Sequence, residues 1–457
     1  MTIPHLRWVI AGLLLLATMV NYLDRNCFGF VIASDQFRRD FRMDDQQVGY
    51  VVATFGYVYA IMQALGGRLI DRIGTRRGFT VAVTFWSLAN IMHAWAGDMH
   101  RALGSALGLP LTMANVWISF ALFRGLLAVG EAGNFPGAVK TISEWFPPRE
   151  RTVATGIFNM GSSIGATLVP VVVAGLILRA GWQSAFVVTG AVGLVWVAVW
   201  LLLYRSPETH PWISPAERRY IRDGIDRAEK LSADTGGSVW GSVLRSPAFW
   251  GIAIARVMSE PAWQFASNWI PKYFRNQGVA DLQSLAYFGL ATFLASDLGS
   301  VVGGLVPPAL QRRGLSLMNA RRAAVTLGAV LMLSVTCIVW TESRYVALAL
   351  LSVGTFAHQG IAATLHTLPA DAFPSRMVAT ANGLSGCCAY LGGGTFMLLV
   401  GALFKRGLYS PLFIMMGTFD LAGAAALWWL IPCRKGTANG AKQSPSDGRK
   451  TSGSVTT

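Results

Sequence analysis

Residues 67–77 have the sequence GRLIDRIGTRR, a short basic stretch between two long apolar runs. A degenerate copy follows an apolar run in the second half of the chain, with Gly303-Gly304, Arg312-Arg313-Gly314 and Arg321-Arg322 at the matching place. Repetition of a basic loop after corresponding apolar runs predicts that the chain consists of two related halves.

The composition excludes an ordinary soluble protein. Of the 457 residues, 53% are hydrophobic and only 13% are charged, and the mean hydropathy is +0.45. Soluble domains carry about 25% charged residues, so this chain has too few polar groups to cover a surface in water. The same composition excludes a disordered chain, and the five cysteines show no spacing typical of a disulfide framework. The lipid bilayer is therefore the expected solvent.

Twelve apolar runs are long enough to cross a bilayer, since a spanning helix needs about 20 apolar residues. They cover 8–33, 47–67, 78–97, 112–138, 152–178 and 183–204 in the first half, and 248–271, 284–307, 322–341, 345–367, 378–403 and 409–431 in the second. We therefore expect an all-α membrane protein with two six-helix bundles at 1–205 and 247–432. A polar cytoplasmic linker at 206–246 and a disordered tail at 433–457 complete it.

Lysine and arginine residues in the loops predict the orientation. With both termini in the cytoplasm, the cytoplasmic segments hold 25 of these residues and the opposite side holds 10, while Arg25, Arg124 and Arg256 lie within spans. This bias predicts a multi-pass protein of the cell inner (plasma) membrane with both termini cytoplasmic. Topology and lipid headgroups also account for the formal net charge of +15, so no nucleic acid is expected as a partner.

The stretch 67–77 resembles the signature loop of the major facilitator superfamily, and twelve spans with a central linker fit that family. Asn21-Tyr22-Leu23-Asp24-Arg25-Asn26 in span 1, and Arg124-Gly125 with Glu131-Ala132 in span 4, resemble its anion:cation symporter branch, which carries sugar acids and other organic anions. Within the branch, the chain most resembles the hexuronate transporters over residues up to about 432. Further motifs that carry this resemblance are Glu144-Trp145-Phe146-Pro147, Gly181-Trp182-Gln183, Trp269-Ile270-Pro271-Lys272-Tyr273 and Asp371-Ala372-Phe373-Pro374.

Two features depart from the pattern of the hexuronate transporters. Some of them have a neutral residue where this chain has Asp24, whereas galactonate-type relatives have the acid. The loop at 98–110 is longer than the family pattern, and we expect it to be a surface segment.

Charged residues inside the spans are informative because each costs about 2.5–3.5 kcal/mol on insertion scales. They are Asp24, Arg25, Arg124, Glu131, Arg256, Glu260, Asp297 and Asp420. Arg124 and Glu131 are two helical turns apart and share one face of span 4, but about 10 Å along the helix is too far for a direct pair. The forked donors of a guanidinium suit a substrate carboxylate; the alternative is a structural salt bridge to another span.

The resemblance implies that Asp24 and Glu131 couple protons and that Arg25 and Arg124 contact the substrate. A local ion pair is the alternative for Asp24 and Arg25. For the i, i+4 pair Arg256 and Glu260, mutual neutralisation is the simple alternative. Asp297 and Asp420 are interpreted as structural. Backbone donors are expected to hold Asp297 in a close-packed helix. Asp420 has no visible partner in the sequence and is structural by default.

A sugar acid also needs hydroxyl partners and flat rings. The candidates in the spans that the family uses to line its cavity are Tyr22, Tyr59, Asn159, Trp263, His358, Gln359 and Asn382. Unpartnered amides are costly in apolar spans, which favours the two asparagines and the glutamine. Simple packing is an equal alternative for the aromatic residues, and a neutral, hydrogen-bonded imidazole is the alternative to a proton relay at His358.

The resemblance implies a conformational gate at Gly67, Asp71 and Arg72. In the family this loop latches the cytoplasmic ends of the bundles in the outward-open state and so biases a rocking motion. Anchoring by positive charge alone explains the arginines of the loop but not Asp71.

The sequence thus predicts a proton-coupled symporter that imports a sugar acid anion by alternating access, with a hexuronate such as glucuronate or galacturonate as the first choice. Protons and the anion are its expected partners, it needs no cofactor or metal, and it acts as a monomer. The alternatives are a carrier of an aldonate, an aldarate or an aromatic acid, and a sugar-acid sensor that does not transport. A membrane enzyme is disfavoured because the sequence contains no nucleophile–base pair, metal cluster or cofactor loop.

Overall fold

The computed structural model describes residues 3–108, 112–232, 239–373 and 375–431, and its described part contains helices and no strand. The predicted tail at 433–457 and part of the linker lie outside these ranges. The first half comprises α1 (Leu6–Val31), α2 (Asp35–Phe41), α3 (Asp45–Ile73), α4 (Thr75–Met92), α5 (Ala96–Leu107), α6 (Trp117–Glu131), α7 (Asn134–Trp145), α8 (Pro148–Ala180) and α9 (Trp182–Leu203). Next come α10 (Pro215–Ser232) and α11 (Val239–Leu244) in the linker.

The second half comprises α12 (Pro247–Asn268), α13 (Ile270–Asn276), α14 (Leu282–Arg312), α15 (Leu317–Met332), α16 (Arg344–Ala372), α17 (Ser375–Lys405) and α18 (Ser410–Leu430). Short 3₁₀ helices at His93–Trp95, Met113–Asn115 and Leu333–Trp340 extend spans 3, 4 and 9. All twelve predicted spans coincide with helices. Within the described ranges, nine helical segments are long and apolar enough to cross a membrane, and the other three predicted spans fall on α3, α4 and α12.

The outer surface of the helices is apolar, as a lipid environment requires. Trp429 is 85% exposed, Trp340 is 77% exposed and Leu202 is 70% exposed, whereas Arg124 and Glu131 are buried. A protein in water would show the reverse arrangement. The distribution of side chains therefore supports a multi-pass membrane protein.

Two seams join the halves: α3 packs along α17, and α8 packs against α14. In the numbering of the spans, these seams pair 2 with 11 and 5 with 8. Each span of one half corresponds to the span six positions away in the other half, so span 2 corresponds to span 8 and span 11 to span 5. The two seams therefore correspond to each other. The packing is thus pseudo-symmetric, as expected for two related six-helix bundles.

Glycines allow the helices of the first seam to approach closely. Gly49 and Gly56 of α3 face Gly401 and Gly394 of α17, and a Cβ built on either α3 glycine would lie 3.0 or 3.1 Å from the facing Cα atom. Small residues at a helix interface let two backbones meet inside a membrane. The seam therefore brings the two backbones into contact at these glycines, where a larger side chain would not fit.

Ion pairs tie the two halves together at one end of the bundle. Asp35 in α2 pairs with Arg275 in α13, and Asp45 at the start of α3 pairs with Lys272. Asp44, which caps α3, lies 2.9 Å from the Lys405 ammonium at the end of α17. These contacts close this end of the molecule, which is the side predicted to lie opposite the cytoplasm.

The segment after span 3 is mostly exposed where the structure describes it, as expected for a surface segment at 98–110, but it forms a helix. Residues 96–107 form helix α5, while residues 109–111 lie outside the described part. Gly97 lies against the ring of Phe41, where a Cβ would come within 2.6 Å of a ring carbon. His100 is buried and bonds the Ser119 hydroxyl at 2.9 Å. The extra residues therefore form a packed helix, because they supply a buried polar anchor and a contact for α2.

The linker helix α10 is fastened to the first bundle through Glu217. Its carboxylate accepts hydrogen bonds from the main-chain N–H groups of Leu6 and Arg7 at 3.1 and 3.2 Å, and it pairs with the Arg7 guanidinium at 2.8 Å. Helix α1 has no side-chain cap of its own at His5. Glu217 therefore satisfies the first donors of α1 and places a negative charge at its positive end.

Glu217→Ala is expected to lower the free energy of unfolding by about 1–2 kcal/mol, because it removes this cap and leaves two N–H groups without an acceptor. The apparent melting temperature in detergent, followed by tryptophan fluorescence, measures the effect. Glu208→Ala, an exposed acid in the same linker, is the matched control. Equal melting temperatures for the two variants would contradict the capping role.

Candidate functional site

Arg25 is the centre of a buried polar cluster between the two halves. Its Nε donates to Glu131 Oε2 at 2.7 Å, and its Nη1 donates to the Tyr390 hydroxyl of α17 at 2.9 Å. Nη2 donates to Asn21 Oδ1, one turn earlier in α1, at 3.2 Å. The guanidinium also lies 4.6 Å from the ring centre of Tyr59. Arg25 is therefore neutralised and is held by side chains from both halves.

Arg124 lies beside this cluster as a buried cation without a counter-ion. It is 1% exposed, and its Nη1 donates to the main-chain carbonyl of Arg25 at 3.0 Å. Its guanidinium lies 4.6 Å from the ring centre of Phe55. Among the described residues, no carboxylate lies within 4 Å of it and its Nε has no hydrogen-bond partner. Arg124 thus presents a free donor edge of the kind that binds a carboxylate.

Glu131, the last residue of α6, is fully buried and pairs with Arg25 rather than with Arg124. The prediction that Arg124 and Glu131 are too far apart to pair is confirmed. Glu131 Oε1 has no hydrogen-bond partner within the described part of the chain. One carboxylate therefore neutralises one of two neighbouring arginines.

Three tyrosines surround Arg25: the predicted Tyr22 and Tyr59, and Tyr390. The guanidinium lies 4.8 Å from the ring centre of Tyr22 on α1, and the rings of Tyr59 and Tyr390 are 4.4 Å apart. Tyr59 belongs to α3 and Tyr390 to α17, so this contact crosses the first seam. In this conformation the aromatic rings shield the arginine pair from solvent.

Asp24 points away from Arg25 and toward α4 and α9. Asn90 Nδ2 donates to Asp24 Oδ1 at 2.8 Å and to the Thr189 hydroxyl at 2.8 Å. Asp24 is fully buried, and Oδ2 has no hydrogen-bond partner among the described side chains. The alternative of an ion pair with Arg25 is not found in this part of the chain. Asp24 is thus a buried acid one helical step away from the arginine pair.

The candidates of the second half form a separate group. The His358 ring stacks on the Trp263 ring with centroids 6.2 Å apart and planes at 13°. His358 Nδ1 lies 3.2 Å from the Ser259 hydroxyl. Each of these rings thus has a partner within the second half, and a hydrogen bond holds the imidazole as expected.

Asn382 is exposed and binds Arg256, whose Nη1 donates to Asn382 Oδ1 at 2.8 Å and to the Ser385 hydroxyl at 2.9 Å. Glu260 instead accepts from Gln264 Nε2 at 3.0 Å. No direct ion pair joins Arg256 and Glu260 within the described residues. The reason is that α17 offers Arg256 a carbonyl and two side-chain acceptors.

Asn159 and Gln359 are not joined to the arginine cluster. Asn159 is exposed on α8, Gln359 is half-buried on α16, and neither side chain has a hydrogen bond among the described residues. Asp297 accepts a hydrogen bond from the Thr167 hydroxyl at 2.6 Å across the second seam. The expectation that backbone donors hold Asp297 is therefore wrong, because α8 supplies a hydroxyl instead.

The predicted gate lies at the junction of α3 and α4. Gly67, Asp71 and Arg72 belong to the last turns of α3, and Gly74 connects the two helices with φ at 82°. Arg72 is exposed. The side chains at positions 67 and 71 lie outside the described part of the structure.

The sequence analysis missed Tyr390 and Asn90. Tyr390 follows Cys387 and Cys388 in an ordinary apolar run, and only the crossing of α17 over α3 reveals its position. Asn90 could have been found, because an amide within an apolar span is the same signal that selected Asn159.

The chain is similar to known proteins over most of its length. The family model described as Major Facilitator Superfamily matches residues 14–394. The hexuronate transporter of Escherichia coli K12 is 36% identical over 94% of this chain and 95% of its own length. The galacturonate transporter of Dickeya chrysanthemi is 36% identical over 76% of this chain and 95% of its own length. The D-galactonate transporter of E. coli O6:H1 is 25% identical over 93% and 95%.

Solved structures of low sequence identity share the fold. The inward-open conformation of the E. coli xylose transporter XylE superimposes with a TM-score of 0.71 at 15% identity, covering 94% of this chain and 98% of that one. A bacterial homologue of the lysosomal transporter Spinster, inward-facing and occupied, gives 0.69 at 16% identity over 94% and 97%. The helices, the two seams and these matches agree, and the chain belongs to the major facilitator superfamily as a multi-pass membrane transporter rather than an enzyme.

Proposed function

We propose that the protein is a proton-coupled symporter that imports a hexuronate such as glucuronate or galacturonate. The observation that carries this proposal is Arg124, a buried guanidinium at mid-span that has a free donor edge and no counter-ion among the described residues. An unpaired charge at this depth costs about 2.5–3.5 kcal/mol. An anionic substrate removes that cost, and relatives named as hexuronate and galacturonate transporters are 36% identical to the chain.

The coupling mechanism follows from competition between the Glu131 carboxylate and the substrate carboxylate for Arg25. While Glu131 is ionised, it occupies the Nε edge of Arg25. A proton on Glu131 ends this ion pair and frees the guanidinium, so that two neighbouring cations face one substrate carboxylate. The substrate then displaces the Tyr390 hydroxyl from Arg25 and takes the free edge of Arg124. Proton and anion therefore bind together, since each removes the obstacle to the other.

Asp24 supplies a further proton site on the other side of α1. Its carboxyl has no cationic partner in the described structure, and its Oδ1 accepts a hydrogen bond from Asn90. A change of charge at Asp24 acts on the helix that carries Arg25, the next residue. The two proposed proton-coupling acids, Asp24 and Glu131, therefore lie on opposite sides of α1.

Protons are needed because the membrane potential opposes the import of an anion. A potential that is negative inside costs about 2.3 kcal/mol per charge per 100 mV. One proton makes transport of a monovalent anion electrically neutral, and a second makes the potential drive it inward.

The remaining contacts to the substrate come from side chains that surround the arginine pair or line the second half. We assign Tyr22, Tyr59 and Trp263 to the apolar face of the sugar and the polar side chains of Asn159, His358, Gln359 and Asn382 to its hydroxyl groups. Asn159 and Asn382 are exposed in this conformation, so their contacts require the halves to rearrange.

Alternating access uses the two ends of the bundle. The ion pairs of Asp35, Asp44 and Asp45 with the second half hold the outer end closed. The junction with Gly67, Asp71 and Arg72 latches the opposite end when the outer end opens. Both termini lie in the cytoplasm, and the protein acts as a monomer in the cell inner membrane. The moving domains are 1–205 and 247–432, joined by the linker at 206–246.

The test is uptake of labelled galacturonate and glucuronate into proteoliposomes with and without an inward proton gradient. We expect uptake that the gradient stimulates several-fold and that unlabelled hexuronate competes away. Liposomes without protein and liposomes treated with a protonophore are the controls. Absence of uptake by folded, inserted protein would remove hexuronates as substrates, and uptake indifferent to the gradient would remove proton coupling.

Asp24 favours one second candidate, an aldonate such as galactonate, because galactonate-type relatives carry an acid at this place. Galactonate, glucarate and an aromatic acid therefore belong in the competition panel. Stronger competition by galactonate than by galacturonate would move the assignment to an aldonate.

A further inference from the structure

Asp420 is a buried acid in the second half that the mechanism above does not use. It lies midway along α18, is 2% exposed, and its Oδ2 has no hydrogen-bond partner in the described part of the chain. None of the ion pairs found there involves it. An ionised carboxylate in such a place costs about 2.5–3.5 kcal/mol, and taking up a proton removes this cost.

Tight packing holds Asp420 against α12. A Cβ on Gly423 would lie 3.1 Å from Ala255 Cα, and one on Gly417 would lie 2.4 Å from a methyl group of Thr336. The Ser259 hydroxyl of α12 is a polar group close enough to interact with the Asp420 carboxyl. Small residues on either side of Asp420 therefore let α18 approach its neighbours closely.

A polar path leads from Asp420 toward α16. The Ser259 hydroxyl, which interacts with Asp420, lies 3.2 Å from His358 Nδ1, and the His358 ring stacks on Trp263. The Ser259 hydroxyl thus connects the Asp420 carboxyl to the His358 imidazole.

The other charged groups on the elements packed around Asp420 have partners of their own. Helix α18 packs on α12, on α15 and on the 3₁₀ helix at Leu333–Trp340. Arg256 and Glu260 of α12 bind Asn382 and Gln264. On α15, Arg321 pairs with Asp371, and Arg322 donates to the Ile431 carbonyl; Cys337 on the 3₁₀ helix is exposed.

We propose that Asp420 binds a transported proton in the second half, reached through His358 and Ser259. The inference rests on the proposed function, which it extends from the acids of the first half to a third acid. In each cycle Asp420 Oδ2 accepts one proton to form a carboxylic acid, and the same proton leaves toward the cytoplasm after the substrate. No other bond forms or breaks.

Asp420→Asn tests this, because asparagine has the shape of the protonated acid and cannot exchange a proton. With the membrane potential clamped at zero, the steady-state accumulation of substrate against a pH gradient of one unit reports the number of coupled protons. Loss of one coupled proton lowers it about tenfold, since one pH unit equals a factor of ten per proton. We expect this tenfold drop in Asp420→Asn, together with wild-type rates of substrate counterflow.

Asp98→Asn, at an exposed acid of α5, is the matched control and should behave as wild type. Should Asp420→Asn not fold, Ser259→Ala serves instead: removing the hydroxyl is expected to slow gradient-driven uptake and leave counterflow unchanged. An unchanged accumulation ratio in Asp420→Asn, or unchanged gradient-driven uptake in Ser259→Ala, overturns the inference while the proposed function stands. Wild-type protein without gradient-driven uptake overturns both.

Discussion

Arg124→Lys is expected to reduce hexuronate uptake at least about a hundredfold, although the positive charge is kept. The guanidinium lies 4.6 Å from the ring centre of Phe55 and donates to the Arg25 carbonyl, which leaves its Nε without a hydrogen-bond partner among the described residues. An ammonium group has neither the fork nor the stacking face. Loss of two charge-assisted hydrogen bonds of about 1.5 kcal/mol each corresponds to about a hundredfold in binding.

Initial uptake rates and tryptophan-quenching titrations with galacturonate in proteoliposomes measure this loss. The matched control is Arg179→Lys, which changes an exposed arginine at the end of α8 and should leave both values unchanged. Wild-type affinity in Arg124→Lys would show that Arg124 has a structural task and that the substrate carboxylate binds elsewhere.

Much of the fold was predictable because its signals are local. The apolar runs fix where helices cross the bilayer, and the repeated basic loop reveals two halves. The segment at 96–107 was the exception: it is a short amphipathic helix that packs against Phe41 and is anchored by His100. It is too short to span a bilayer, so the search for long apolar runs passed over it.

The site was predictable in its residues but not in its pairings. Helix geometry shows that Arg124 and Glu131 share a face and that Asp24 and Arg25 do not. It cannot show that Glu131 neutralises Arg25, because this pair depends on how α1 crosses α6. The role of Tyr390 was not predicted for the same reason, because its hydroxyl contacts Arg25 from the other half of the protein.

Glu131→Gln is expected to remove one coupled proton, which lowers hexuronate accumulation against a pH gradient of one unit about tenfold at zero membrane potential and leaves counterflow exchange intact. Glutamine has the shape of the protonated acid, so the variant is fixed in the state that binds the anion. Wild-type affinity should fall as the pH rises and Glu131 ionises, because the carboxylate then reclaims Arg25; the affinity of the variant should not change over the same range. Accumulation, counterflow and binding between pH 5 and pH 9 in proteoliposomes separate these effects.

Glu342→Gln, at an exposed acid outside the bundle core, is the matched control. Accumulation at the wild-type level in Glu131→Gln would show that another acid carries the coupled proton, and Asp24 would then be the first to replace.

The same variant also tests whether the anion and Glu131 compete for one arginine. Removing one partner of a buried ion pair costs about 3–5 kcal/mol, since the other charge is left uncompensated. Glu131→Gln should therefore melt at a lower temperature than wild type, because Arg25 loses its counter-ion. Galacturonate should restore much of this loss and raise the melting temperature more in the variant than in wild type, since its carboxylate takes the place that Glu131 has left. A smaller thermal shift in the variant would mean that the substrate does not bind Arg25. Competition between Glu131 and the anion for Arg25 would then no longer explain how proton and anion move together.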